Sequence, residues 1–320
     1  MFERIFGGPG GLIPNPIQKR VWKVALYVIA LLVVIFVLTP LYMMIVVAVQ
    51  TPETLFSGGQ LTLIPPALSL ENFKTLINET STVSYFVNSV IITGASVLLS
   101  TALAVVSGYS LTRYDLAGKS IIARVVLFSY MISPIVLAIP LYIIFFRLKS
   151  IIARVVLFSY MISPIVLAIP LYIIFFRLGL LNQYISAVLA VTAISAPFSI
   201  WLMWQYFQNI PIAYEESAWT RGASRWRAAR DIVLPLARPG YISVAIFAFA
   251  VAWNDYTMVK VVLNDQALYP LTVGSELIFQ EVFVGWGEQM SMMLIMSFPP
   301  FLVAAFLQNY LLQGFNLGHG

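Results

Sequence analysis

The stretch Pro211–Gly240, PIAYEESAWTRGASRWRAARDIVLPLARPG, interrupts a chain that is otherwise almost continuously apolar. It sets Glu215, Glu216 and Asp231 among Arg221, Arg225, Arg227, Arg230 and Arg238, after which hydrophobic sequence resumes. Charge this dense cannot lie in hydrocarbon, so the segment belongs at a membrane surface, facing something in water.

The flanking sequence supplies the membrane. Of the 320 residues, 60% are hydrophobic and 10% charged, and the mean hydropathy is +0.91; a soluble domain carries roughly 25% charged residues. A run of about 20 apolar residues spans the hydrocarbon core. Such runs lie near residues 24–49, 84–112, 125–146, 155–176, 184–208, 241–259 and 290–313. The expected fold is all-α, a polytopic transmembrane helical bundle; the short alternating segments of a β-barrel are missing. The chain has no cysteine, which excludes disulfides and thiolate metal sites. The first run is too long for a signal-peptide core and reads as a retained helix. The net charge of +5 reflects basic residues at helix ends, which set orientation and do not imply nucleic acid.

Residues 119–148 recur letter for letter at 149–178. Ancient transporter repeats survive only as weak similarity, so an identical repeat is recent or artificial, and each copy is long enough to span. Arg4, Lys19, Arg20 and Lys23 place residues 1–23 in the cytoplasm, ahead of a transmembrane domain at 24–320. The loop 51–83, with Glu53, Glu71 and Glu79 against Lys74, reads as external; Arg113, Lys119 and Arg124 read as internal. With one copy crossing, six helices satisfy every loop and residues 211–240 form a cytoplasmic loop. With both crossing, Arg221–Arg238 would be stranded outside. One copy is therefore expected to cross, with the second preferred because it runs directly into the loop at Gly179.

Within 211–240, residues 212–219 read as a short helix whose Glu215 and Glu216 suit a helix N-terminus. Gly222 permits a turn, Ser224 can cap a second helix, and Pro235, Pro239 and Gly240 close it and start the next span. Glu216-Ser217-Ala218, three residues, Gly222, nine residues, then Ile232-Val233-Leu234-Pro235 resembles the EAA loop of ABC importer permeases. GASRW at Gly222, LPLARPG at Leu234, AWND at Ala252 and PLTVG at Pro270 are similar to the carbohydrate branch, the maltose-transporter type. The likeness covers essentially the whole chain once one repeat copy is removed. Ser217 stands where the family has Ala, and Arg221 where it usually has Asp.

The resemblance implies a six-helix permease core plus one duplicated helix. It also implies a subunit of an ATP-driven, binding-protein-dependent carbohydrate importer in the prokaryotic cytoplasmic membrane. Its implied partners are a homologous permease subunit, two ATP-binding cassette subunits, an extracytoplasmic sugar-binding protein and membrane lipid. Glu215, Glu216, Ser217, Ala218, Arg221, Gly222, Ala223, Leu234 and Pro235 would form the ATPase-coupling region. The chain would be non-catalytic and hold no cofactor or metal, with ATP and Mg bound by the partner ATPase. Gly118-Lys119-Ser120 lacks the upstream glycine of a phosphate loop, Arg113 standing in its place. Trp253, Asn254 and Asp255 are candidates for the substrate pathway, since an ionisable residue near a span is a functional hypothesis, the alternative being that Asp255 simply lies at the outer helix end, close to water. Tyr130, Tyr142, Trp201, Trp204 and Tyr206 could stack on a sugar or mark the membrane interfaces, the interfacial reading being preferred. The alternative is an ion-coupled secondary transporter, for which Asp255 alone offers support. An intramembrane enzyme lacks a nucleophile–base constellation.

Overall fold

The computed structural model describes residues 16–51, 65, 68–114, 164–280 and 285–316. All regular elements among them are helical. In chain order they are α1 (Pro16–Ala48), α2 (Glu71–Glu79), α3 (Thr82–Arg113), α4 (Pro164–Arg177) and α5 (Tyr184–Gln208). Next come α6 (Ala213–Thr220), α7 (Arg225–Leu236), α8 (Arg238–Asn254), α9 (Thr257–Val262), α10 (Leu271–Gln280) and α11 (Trp286–Asn316). Residues Trp22–Ala48 of α1, all of α3 and α5, and Trp286–Phe306 of α11 are long and apolar enough to cross a bilayer; the bent pair α7–α8 makes a fifth span when taken together.

The chain divides into two compact units, residues 1–74 with 285–294 and residues 75–284 with 295–320. In the first, Asn72 closes the end of α1: its Nδ2 donates to the carbonyls of Ala48 and Gln50 at 2.8 Å each. Those carbonyls would otherwise be orphaned at the helix C-terminus.

The second unit is built on α3, α5 and α8. Ala104, Met203, Tyr206, Phe207, Val233, Ala237 and Val244 form its buried cluster. Two glycines set the spacing. A Cβ on Gly108 would lie 2.9 Å from the Trp204 backbone nitrogen, and one on Gly240 would lie 2.6 Å from the Tyr206 ring. Small residues at these crossings let helices approach where water provides no drive for packing. A buried hydroxyl pair, Ser100–Ser195 at 2.7 Å, joins α3 to α5 midway.

The ends of this unit sort cleanly. At one end Asn88 Nδ2 donates to the carbonyls of Ala267 and Tyr269 (2.8 and 2.9 Å), and Tyr184 OH donates to Asn88 Oδ1 (2.7 Å). Asn182, in the left-handed region at φ 59, accepts on its side chain from the N–H groups of Asn264 and Asp265. The opposite end gathers the last turns of α3 and α5 with α6, through Arg113 contacts to Glu215 and Ile210. Hence α3 and α5 run in the same direction, and α4 finishes at the Asn182 end, packed on α9 and α5.

One expectation needs amendment. The run 241–259 is not one helix: α8 stops at Asn254, Asp255 is extended, and its Oδ1 takes the N–H groups of Met258 and Val259 at 3.1 Å to open α9. A carboxylate that satisfies those donors competes with the helix ladder at the break. The loop 51–83 contains the short helix α2. The first repeat copy, Gly118-Lys119-Ser120, Tyr130 and Tyr142 lie outside the described residues; the second copy is described from Pro164.

Candidate functional site

The charged stretch folds as a helix, a turn and a second helix. Helix α6 begins with Glu215 and Glu216 in its first turn, where the exposed N–H groups and the helix dipole favour carboxylates. It ends because Gly222 adopts φ 88. The Gly222 N–H bonds to the Trp219 carbonyl at 2.9 Å and the Ala223 N–H to Ala218 at 3.0 Å, the paired bonds of a Schellman motif. Ser224 then caps α7, its Oγ accepting from the Arg227 N–H at 3.2 Å. Arg225 lies over the Trp219 ring at 5.6 Å, bracing the turn from both sides.

Helix α7 widens into a π turn at Ala229–Val233, where the Leu234 N–H reaches back to Ala229. Pro235 follows, and its missing N–H interrupts the regular ladder at that point. Leu234 is partly buried and Pro235 exposed. At Ala237 the axis turns by 70° into α8, with Pro239 in the first turn. Ala228, Ala229 and Val233 face the bundle while Arg225, Trp226, Arg227, Arg230 and Asp231 are exposed. An element lying across the end of the bundle thus becomes a span within two residues.

The two glutamates part company. Glu216 is exposed, with Ser217 and Arg221 beside it and Ala218 and Ala223 half-buried behind. Glu215, expected to look outward with the rest, is wholly buried. Its Oε1 accepts from Arg113 Nε at 2.5 Å and its Oε2 from Tyr109 OH at 2.7 Å. Arg113 also donates through Nη2 to the Ile210 carbonyl at 3.0 Å. Both donors come from α3, four residues apart and so on one face. Removing one partner of such a pair costs about 3–5 kcal/mol, because the other charge stays buried. Tyr109 and Arg113 were not legible as part of the site. Arg113 sits at a helix end where the positive-inside rule accounts for it, and nothing in its neighbourhood points to a glutamate 102 residues away.

The side chains of residues 253–255 make separate contacts. Trp253 is buried: its Nε1 donates to the Met296 carbonyl at 2.9 Å, and its ring stacks on Phe249 and meets Phe86 edge-on. Asn254 is exposed and folds back to the Ala250 carbonyl. Asp255 is engaged in opening α9. Tyr206 belongs to the core cluster, contrary to its reading as an interfacial aromatic. Among the described residues no cluster of three His, Asp or Glu side chains could hold a metal ion.

Several long apolar helices, a bent helix pair, and a charged helix–turn–helix carried across one end define a polytopic membrane protein with a charged surface element. The chain belongs to the family described as "Binding-protein-dependent transport system inner membrane component", which it matches over residues 100–317. It is 24% identical over 303 residues to the inner membrane ABC transporter permease protein YcjP of Escherichia coli, covering 94% of this chain and 97% of that one. It is 26% identical over 300 residues to the trehalose/maltose transport system permease protein MalG of Thermococcus litoralis, covering 92% and 96%. A crystal structure of a bacterial ABC transporter involved in the import of the polysaccharide alginate contains a chain of the same fold. It superposes with a TM-score of 0.71 at 17% identity, over 95% of this chain and 99% of that one.

Proposed function

We propose that this chain is the transmembrane subunit of an ATP-driven carbohydrate importer, forming half of the translocation pathway. In this reading α6 is the coupling helix that docks into a cytoplasmic ATP-binding cassette subunit. The observation that carries it is the pairing of motif and shape. Glu216, Ser217, Arg221 and Gly222 are solvent-facing on a helix whose end and exit are fixed by Gly222, Ser224 and the bend before Pro239. Glu216 is the candidate for a basic partner on the ATPase, and Arg221 sets an extra positive charge at the same rim. The carbohydrate class rests on relatives whose names specify trehalose/maltose and diacetylchitobiose uptake. ATP hydrolysis, its Mg, the companion permease and the solute receptor would be supplied by other chains, with closure of the ATPase pair moving α6 and switching the pathway.

The topology follows from which ends meet. Placing α6 in the cytoplasm puts Arg113 there too, and Asn182 with Asn264–Asp265 outside. The chain from Arg113 to Leu178 then crosses an odd number of times, so both repeat copies cannot span. The packing of α4 on α9 and α5 favours the second copy as the crossing helix.

Proteoliposomes carrying the assembled transporter test the function. ATP hydrolysis that depends on the nucleotide-binding subunit should be stimulated by the solute receptor, and lost in Glu216→Ala and Gly222→Pro. Solute uptake that persists without any ATPase subunit would refute the proposal.

A further inference from the structure

The Arg113–Glu215 pair stands outside the motif that marks the docking element, which begins one residue later at Glu216. Yet it is the feature that ties that element to the bundle. Both oxygens of the wholly buried Glu215 carboxylate are taken by α3 donors, and Arg113 holds the Ile210 carbonyl just ahead of α6. Three directed bonds fix both the position and the tilt of α6 on the end of α3. A buried charge gains nothing by sliding away from such partners.

The far end of α3 is fastened as well. Asn88 holds the carbonyls of Ala267 and Tyr269, and Ser89 Oγ accepts from the Leu271 N–H at 2.7 Å. Between these two attachments α3 is a single 32-residue helix with no internal proline, whereas α1, α5 and α11 contain Pro40, Pro197 and Pro299–Pro300. Sharp helix bends occur at prolines and related ladder breaks. Of the four long spans described, α3 is the one without an internal proline.

We propose that Arg113 and Glu215 are positioning residues that lock α6 to α3, so that α3 carries any displacement of α6 to the segment 264–271 at the opposite end of the bundle. This rests on the reading of α6 as the ATPase-docking helix.

The chain has no cysteine, so spin labels can be placed at exposed Thr220 on α6 and exposed Val106 on α3 without removing native thiols. In the reconstituted transporter, the parent should give one narrow distance distribution, unchanged between the nucleotide-free state and ATP with vanadate. In Glu215→Gln it should broaden, and receptor-stimulated ATP hydrolysis should fall at least fivefold. Arg113→Lys keeps the charge but loses the fork to Ile210; it should broaden the distribution too, and it carries the test if Glu215→Gln does not assemble. Distributions as narrow as the parent's in the assembled variants, with hydrolysis within twofold, would overturn the proposal. A parent complex whose ATPase ignores this chain would instead sink the docking reading, while the labelled pair would still report on the lock.

Discussion

Helix α3 carries two glycines in opposite surroundings, which makes a controlled experiment possible. A Cβ at Gly94 would meet nothing within 4 Å, whereas one at Gly108 would meet Trp204 N at 2.9 Å and both the carbonyl carbon and Cβ of Met203 at 3.1 Å. The obstacle is mainly α5 backbone, which cannot rotate aside, so α3 and α5 must separate by a few tenths of an ångström or more. Overpacking of this kind costs about 1–3 kcal/mol. Gly→Ala also gains about 0.5–1 kcal/mol of helix propensity, but that gain is common to both sites and cancels when the variants are compared. Gly108→Ala should therefore be less stable than Gly94→Ala by about 1–3 kcal/mol. At roughly 2–4 °C per kcal/mol, this is a gap of several degrees in the thermal midpoint. Intrinsic tryptophan fluorescence of the detergent-solubilised variants, heated in parallel, measures it. A Gly108→Ala protein melting at or above Gly94→Ala would refute the close approach of α3 and α5.

Asp255 offers a decision between mechanisms. Asn retains the side-chain oxygen that accepts from Met258 and Val259, so Asp255→Asn should transport like the parent while Asp255→Ala loses about 1 kcal/mol of stability; an ion-coupling acid would make Asn as damaging as Ala in the uptake assay. Outside the spanning helices, Glu276 accepts from Tyr256 OH at 2.7 Å and Lys260 Nζ at 3.0 Å. These contacts hold its carboxyl below the usual range and, through the same bond to Glu276, hold Lys260 above its own. A depressed carboxyl pKa stabilises above the unfolded value near 4.3 and ceases to do so as pH falls through the folded value. The Tm difference between the parent and Glu276→Gln should thus be steady from about pH 6 to 9 and shrink below about pH 4, and a difference that grows in acid would contradict the pairing. Single cysteines at Ser150 and Asn182, probed with a membrane-impermeant maleimide, should label from the cytoplasmic side and from outside respectively; Asn182 labelling from the cytoplasmic side would defeat the one-crossing topology.

Local chemistry made much of the charged helix–turn–helix readable in advance. A helix over 212–219, a glycine turn at Gly222 and a Ser224 cap each depend on residues within a few positions of one another, and the structure places α6, φ 88 and the Ser224–Arg227 bond there. Spans 24–49, 84–112, 184–208 and 290–313 were equally local, because length and apolarity decide a bilayer crossing. The break at Asp255 was missed because hydropathy does not register a side chain that takes over backbone donors. The separate contacts made by Trp253, Asn254 and Asp255 were not legible for a related reason. Adjacent residues at a helix end point different ways, and only packing shows that Trp253 turns inward to Met296.

The sequence by itself determined a helical membrane protein, the position of its charged interruption, and the motif spacing from Glu216 to Pro235. These follow from composition, periodicity and short-range backbone chemistry. Tertiary structure alone decided that the adjacent glutamates differ, Glu216 left in water and Glu215 drawn onto Arg113 and Tyr109. It also decided that α3 and α5 are parallel and that Pro164–Arg177 packs on α5 and α9. Long-range pairing of a buried charge depends on where two distant helix ends meet, and no local pattern in the chain encodes that meeting point.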